Sequence, residues 1–327
     1  MTAGIAVQSL SKTYRRGFVR EPVRALDNVS LAIAPGEAFG IIGPNGAGKT
    51  TFFGCLLGHL RPQSGTITIG GRSPDTLLTK SEVGFLPERL LFDRWMTGGR
   101  FLAHHHALAG LSAERRAADV TESFARVGLE PAAASKSLKA YSRGMLQRIG
   151  FAQALLAKPR WLFLDEPASG VDPAGVLLFR RLLAEARAGG TTIVLNSHQL
   201  EQVEHICDRV AFLRDGRVQS IEVLHAGAET RRHLRVRFAA ASAYAPAGAE
   251  APVLDRLAGV AASAGAELIH PLNPAREAVF AVADDAGSTR LLAALLTAGA
   301  PVVEARSEEG RLERLFLEAP PSGGMPS

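Results

Sequence analysis

Apolar residues in this chain fall into short runs separated by longer segments with helical spacing. Ile5-Ala6-Val7-Gln8-Ser9-Leu10 reads as a strand, and Val29-Ser30-Leu31-Ala32-Ile33 alternates as a half-buried strand does. Ala38 to Ile42, Val83 to Leu86, Trp161 to Leu164 and Thr192 to Leu195 are nearly unbroken apolar runs, the pattern of buried strands. Between the second and third of these the spacing changes. Phe101, Leu102, His105, Leu108 and Ala109 recur at three- and four-residue steps, as do Val120, Phe124 and Val127 before Gly128. Residues from about 93 to 157 therefore read as a helical insert within an α/β domain. A hairpin with an Asp215-Gly216 turn closes that domain near residue 221. Beyond it the strand-like stretches His233 to Phe238, Glu267 to His270, Ala278 to Val282 and Pro301 to Ala305 interleave with two helical segments. That order, βαββαβ, predicts a small ferredoxin-like α+β domain over 222–319, with 320–327 as a disordered tail.

One stretch carries the chemistry. Gly43-Pro44-Asn45-Gly46-Ala47-Gly48-Lys49-Thr50 fits G-x-x-x-x-G-K-[ST], preceded by a strand and followed by Thr51-Phe52-Phe53, which can open a helix. Glycines let successive backbone N–H groups turn inward around an anion, and the helix N-terminus adds its positive dipole end. Lys49 supplies a cation for the β- and γ-phosphates of a nucleotide, and the Thr50 hydroxyl is placed to hold Mg²⁺.

Other candidates follow in chain order. Tyr14 is either a surface aromatic or a flat platform for a nucleotide base. Ser142, with Gly144 two residues on, either caps the following helix or offers a second anion site at its N-terminus. Trp161-Leu162-Phe163-Leu164 ends in Asp165-Glu166, placing two carboxylates at the C-terminal edge of a strand, where ligands of open α/β sheets bind. Asp165 suits a metal, directly or through water, and Glu166 suits the polarising of an attacking water. His198 ends a further strand, as a structural histidine or as a γ-phosphate contact. His104, His105 and His106 are consecutive on a helix, so they point in different directions and do not converge on one ion.

The chain has 327 residues, enough for two domains with cores. Its net charge of +5 divides into +8 over residues 1–221 (27 Lys/Arg against 19 Asp/Glu) and −3 over 222–327 (10 against 13). The basic front part suits nucleotide phosphates or an anionic membrane surface and is too weak to argue for DNA, so no nucleic-acid partner is expected. Cys55 and Cys207 are the only cysteines, which excludes a disulfide framework and implies a reducing compartment. Without an apolar run near 18 residues or a signal-peptide pattern, the chain is expected not to span a membrane itself.

Taken together, the ordered motifs over residues 1 to about 221 resemble the ATP-binding subunit of an ABC transporter. The resemblance implies an ABC-type P-loop NTPase fold with a helical subdomain. It gives the Gly43 to Thr51 stretch as Walker A, Tyr14 as the adenine-stacking aromatic and Tyr141-Ser142-Arg143-Gly144-Met145 as the signature motif. Asp165 and Glu166 match Walker B and the catalytic glutamate, Ser169-Gly170-Val171-Asp172 the D-loop, and His198 the switch histidine. It implies ATP and Mg²⁺ as ligands, with Thr50, Glu88 and Asp165 toward the metal and Lys49, Glu166 and His198 in hydrolysis. Two such subunits, alike or different, would sandwich ATP head to tail, each signature motif capping the other's nucleotide through Ser142 and Gly144. The pair would drive a separate transmembrane permease from the cytoplasmic face of the membrane. Two departures stand out. Glu88 replaces the usual glutamine and brings a negative charge beside the triphosphate. Arg143 and Met145 replace Gly and Gln, a form similar to that of drug, sodium and ABC-2-type exporters, and Arg143 adds charge facing the γ-phosphate. The last segment resembles the accessory domain of such ATPases, with Leu312 to Leu317 as its closing helix. A soluble, non-transport ABC ATPase and a regulatory nucleotide-binding module are the alternatives.

Overall fold

The computed structural model describes residues 3–14, 22–88, 93, 95–169, 171–224, 232–239, 256–283 and 285–307. The chain divides into two compact units, residues 1–224 and 225–327.

In the first unit, six strands form one sheet in the order β5-β6-β7-β3-β8-β9: β3 (Ala38–Ile42), β5 (Val83–Leu86), β6 (Trp161–Asp165), β7 (Thr192–Asn196), β8 (Arg209–Arg214) and β9 (Arg217–Val223). All neighbours are parallel except the β8–β9 hairpin. Every residue of β3, β6 and β7 is buried, which explains why their sequences lack alternation. A second, antiparallel sheet runs β2-β1-β4, from β1 (Ile5–Tyr14), β2 (Val23–Ile33) and β4 (Ser64–Ile69). Between the sheets lies helix α1 (Lys49–Leu56), whose Phe52 and Phe53 enter one core with Ile5, Leu10, Phe39, Trp161 and Phe163.

Two strands are longer than their side chains predict. β1 continues past Leu10 to Tyr14, and β2 starts at Val23 rather than Val29. The added lengths pair with each other, Lys12 with Leu26, Thr13 with Arg24 and Tyr14 with Val23. Ser9 takes a left-handed conformation where the register shifts, so the strand bends and its alternation breaks while the ladder resumes.

The insert holds α3 (Gly98–Leu108), α4 (Arg116–Arg126) and α5 (Arg143–Leu155). The three histidines diverge: His104 is exposed, His105 half-buried, and His106 fully buried, with Nε2 3.0 Å from Asp119 Oδ2 on α4. Helices α2 (Leu77–Ser81), α6 (Pro173–Ala188) and α7 (Leu200–Ile206) complete the unit. Cys55 and Cys207 are free and buried.

In the second unit, β10 (Arg232–Phe238), β11 (Glu267–His270), β12 (Glu277–Val282) and β13 (Val302–Ser307) form an antiparallel sheet in the order β11-β12-β10-β13. Helices Leu257–Ser263 and Asp285–Thr297 supply Leu257, Ala261, Leu291 and Leu295 to a core with Leu234, Val236, Phe238 and Phe280. Order and pairing are those of a ferredoxin-like domain. The Leu312 to Leu317 helix and the 320–327 tail expected from sequence lie outside the described residues.

Candidate functional site

Parallel pairing carries the ends of β3, β5, β6 and β7 to one edge of the main sheet, and most of the expected residues stand there. The Gly43 to Thr50 loop leaves β3 and enters α1. Gly48 has φ +103°, and a Cβ there would lie 2.3 Å from the Ala25 carbonyl oxygen; at Gly43 it would lie 2.0 Å from that of Leu213. Only glycine fits these two positions. Lys49 folds back over the loop, with Nζ donating to the carbonyls of Gly43 at 2.6 Å and Pro44 at 3.0 Å. Burial pushes its ammonium pKa down, while the carboxylates of Glu166, Asp165 and Glu88 act to keep it charged. Thr51, one residue past the loop, has its hydroxyl 3.4 Å from the Tyr14 hydroxyl, which sets Tyr14 beside the start of α1.

Asp165 ends β6, and Glu166 follows it in a left-handed backbone conformation at φ +51°. Both are 8% exposed. That turn sends the two carboxylates in different directions and is a strained geometry for a non-glycine residue. Burial pushes the Asp165 carboxyl up from the ordinary carboxylate range, against a hydrogen bond from Asn196 Nδ2 at 2.5 Å; Glu88 and Glu166 push it further. Glu166 accepts from the Ser197 hydroxyl at 3.3 Å, the His198 backbone N–H at 3.0 Å and His198 Nδ1 at 2.8 Å. Glu88 is exposed on the loop after β5.

The donor set around Asp165 suits a hydrated hard cation. It consists of a buried carboxylate and the Asn196 Oδ1, which is buried with no hydrogen-bond donor; Thr50 stands in the first turn of α1. No group of three or more His, Cys, Asp or Glu suited to a metal occurs among the described residues. A cation here would lean on phosphate oxygens and water as well as protein.

Ser142 and Gly144 lie at the N-terminal end of α5. Ser142 caps α5, its hydroxyl accepting from the Met145 N–H at 3.2 Å. Ser142 is exposed, and a Cβ at Gly144 would meet nothing within 4 Å. Among the described residues no hydrogen bond or ion pair joins Ser142 or Gly144 to the phosphate loop. α5 is tied instead to the segment after Glu166. Arg143 Nη2 donates to Ser169 Oγ at 3.2 Å and Gln147 Nε2 to the Pro167 carbonyl at 2.8 Å, and Arg148 Nη2 lies 4.0 Å from Asp172 Oδ1. Asp172 caps α6, accepting from the Gly175 N–H at 2.8 Å.

The family model for ABC transporters matches residues 26–169. YxlF of Bacillus subtilis, an uncharacterized ABC transporter ATP-binding protein, is 37% identical over 214 residues, 65% of this chain and 69% of YxlF. The chain belongs to the ABC transporter ATP-binding family. The ABC protein sll0415 of Synechocystis is 43% identical over 209 residues, 63% of this chain, and the match spans 59% of its length. The fold agrees: the dimeric cassette MJ0796, in a post-hydrolysis state bound to ADP and Pi, superposes with a TM-score of 0.61 at 25% identity, covering 67% of this chain and 98% of MJ0796. The cbiO1 subunit of Clostridium perfringens, part of the transporter complex cbiONQ, gives 0.59 at 27% identity over 69% of this chain and 90% of cbiO1.

In this ABC ATP-binding unit, sequence reading passed over Asn196, Ser197, Gln147 and Arg148. The two at the end of β7 could have been found from their place between an apolar strand and His198. Gln147 and Arg148 lie on the α5 face turned toward Pro167 and Asp172, which no local pattern announces.

Proposed function

We propose that this chain is the ATP-binding and ATP-hydrolysing subunit of an ABC transporter, acting as a pair around two ATP to drive a separate transmembrane permease, in the direction of export. The observation that carries the reading is a half-complete site. Lys49, Asp165, Glu166 and His198 gather at one sheet edge, while Ser142 and Gly144 lie open at the start of α5, with no hydrogen bond or ion pair to the phosphate loop among the described residues. A second subunit stacked head to tail completes each half with the other's signature motif.

In this scheme Tyr14 stacks on the adenine. The backbone of Gly43, Pro44, Asn45, Gly46, Ala47, Gly48, Lys49, Thr50 and Thr51 cradles the phosphates, and Lys49 neutralises their charge. Thr50, Asp165 and Glu88 would hold Mg²⁺, which would supply positive charge to offset that of the phosphates. Glu166, kept in place by Ser197 and His198, takes the proton of the attacking water. His198 Nδ1 exchanges its Glu166 contact for the γ-phosphate. Ser142 and Gly144 cap the partner's γ-phosphate, and Asp172 lies at the same interface. Phosphoryl transfer asks mainly for positioning and charge neutralisation, which these groups supply.

The permease contact is assigned to the Glu88 region and the helical subdomain, where Trp95 is 77% exposed. Among the described residues no helix is long and apolar enough to cross a membrane. The subunit is placed on the cytoplasmic face, held there by its permease, with the ferredoxin-like unit serving dimerisation or regulation. Light scattering on Glu166→Gln with MgATP tests the central claim. A dimer that dissociates on ATP removal is expected; a protein that stays monomeric at saturating MgATP, with and without its permease, overturns it.

A further inference from the structure

Asn196, at the tip of β7, bonds both acidic residues of the site, one by its side chain and one by its backbone. Its Nδ2 donates to Asp165 Oδ1 at 2.5 Å, and its backbone carbonyl accepts from the Glu166 N–H at 2.8 Å. On its other side it pairs with Ile41 of β3, two residues before the phosphate loop begins. Asn196 thus stands between Asp165 and the loop, 3% exposed.

A carboxamide has a donor end and an acceptor end. The donor end faces the carboxylate, which cannot itself donate when ionised. The acceptor end, Oδ1, is buried without a donor. Buried polar atoms in native proteins are almost always paired, so an orphan at a ligand edge marks a place for a donor that comes with the ligand. The nearby ammonium of Lys49 is already bonded to the carbonyls of Gly43 and Pro44. A divalent cation that keeps several of its waters presents outward-pointing O–H groups, the donor this atom lacks.

We propose that Asn196 is a positioning residue of the cation site: Nδ2 orients Asp165, and Oδ1 accepts from a water of the hydrated divalent cation that accompanies ATP. The inference rests on the reading that this edge binds a metal nucleotide.

The test uses the full chain in the Glu166→Gln background, with Mn²⁺ as the cation read by electron paramagnetic resonance in the presence of ATP. A fluorescent ATP analogue in excess EDTA reports nucleotide binding without metal. Asn196→Leu is expected to weaken Mn²⁺ by about 10- to 100-fold while metal-free nucleotide affinity stays within about two-fold, because partners of metal ligands act on the metal. Asn196→Ser, which is smaller and polar, provides the same measurement if the Leu variant does not fold. Unchanged Mn²⁺ affinity in a folded variant overturns the proposal. So does an equal loss of metal-free nucleotide affinity, which would make Asn196 merely structural. If the parent takes up no nucleotide, the underlying reading fails first, and it does so visibly.

Discussion

His198 grips both oxygens of Glu166: its Nδ1 lies 2.8 Å from Oε2, and its backbone N–H donates to Oε1 at 3.0 Å. The imidazole is 63% exposed and the carboxylate 10%, so the ring is the partner free to swing and Glu166 the one held. Glu166→Gln keeps the shape and removes the base. Turnover is expected to fall by about 10²- to 10⁴-fold with ATP affinity retained, as measured by phosphate release and equilibrium nucleotide binding. His198→Ala leaves the backbone contact and is expected to fall by about 10²-fold. Full activity in either variant would remove Glu166 or His198 from the mechanism.

Gly48 and Gly46 offer a contrast within one loop. An alanine Cβ at Gly48 would collide with the Ala25 carbonyl at 2.3 Å, whereas at Gly46, φ +82°, it would meet nothing within 4 Å. Gly48→Ala should displace the loop and lower turnover by about 10²-fold. Gly46→Ala should cost only the left-handed backbone penalty, about 1–2 kcal/mol in a thermal melt, with activity within a few-fold. Equal effects of the two would show that the Ala25 contact does not constrain the loop.

Tyr141 precedes Ser142 and donates its buried hydroxyl to the Ala133 carbonyl at 2.7 Å. Burial pushes its phenol from 10.0 up to about 12. Because the folded pKa is the higher one, the stability it lends is full below pH 10 and declines as the pH rises toward 12. Between those limits the parent should lose stability more steeply than Tyr141→Phe, which has no proton to release. Parallel stability–pH curves for the two proteins would contradict this. At neutral pH the variant should be weaker by about 1 kcal/mol, from the lost hydrogen bond.

Phe280 is fully buried in the core of the second unit, with Leu291 and Leu295. Truncation to alanine should cost about 3–5 kcal/mol there. The core around α1 is formed, among the described residues, by residues of the first unit, and metal-free nucleotide affinity is expected to be unchanged. A loss of nucleotide binding in Phe280→Ala would show that the two units depend on each other.

What sequence revealed and what it concealed divide along a physical line. The Gly43 to Thr50 loop and the Asp165-Glu166 pair were legible because each is contiguous and sits where an apolar run ends. Strands β3, β6 and β7 were legible because full burial removes alternation. Hidden features depend on distant partners. The outer halves of β1 and β2 are held by their mutual ladder, across a bulge that broke their pattern. Asn196 meets Asp165 only through strand pairing 31 residues apart, and Arg143 meets Ser169 through the packing of α5. His106 appeared as one of three adjacent histidines, and only the fold singles it out by burying it against Asp119.

The pairing of β6 with β7 sets Asp165 opposite Asn196 and Leu164 opposite Leu195. Sliding one strand by a single step would put leucine beside the aspartate and turn the amide to the opposite face. The alignment that packs the two strands is thus also the one that brings the amide to the carboxylate.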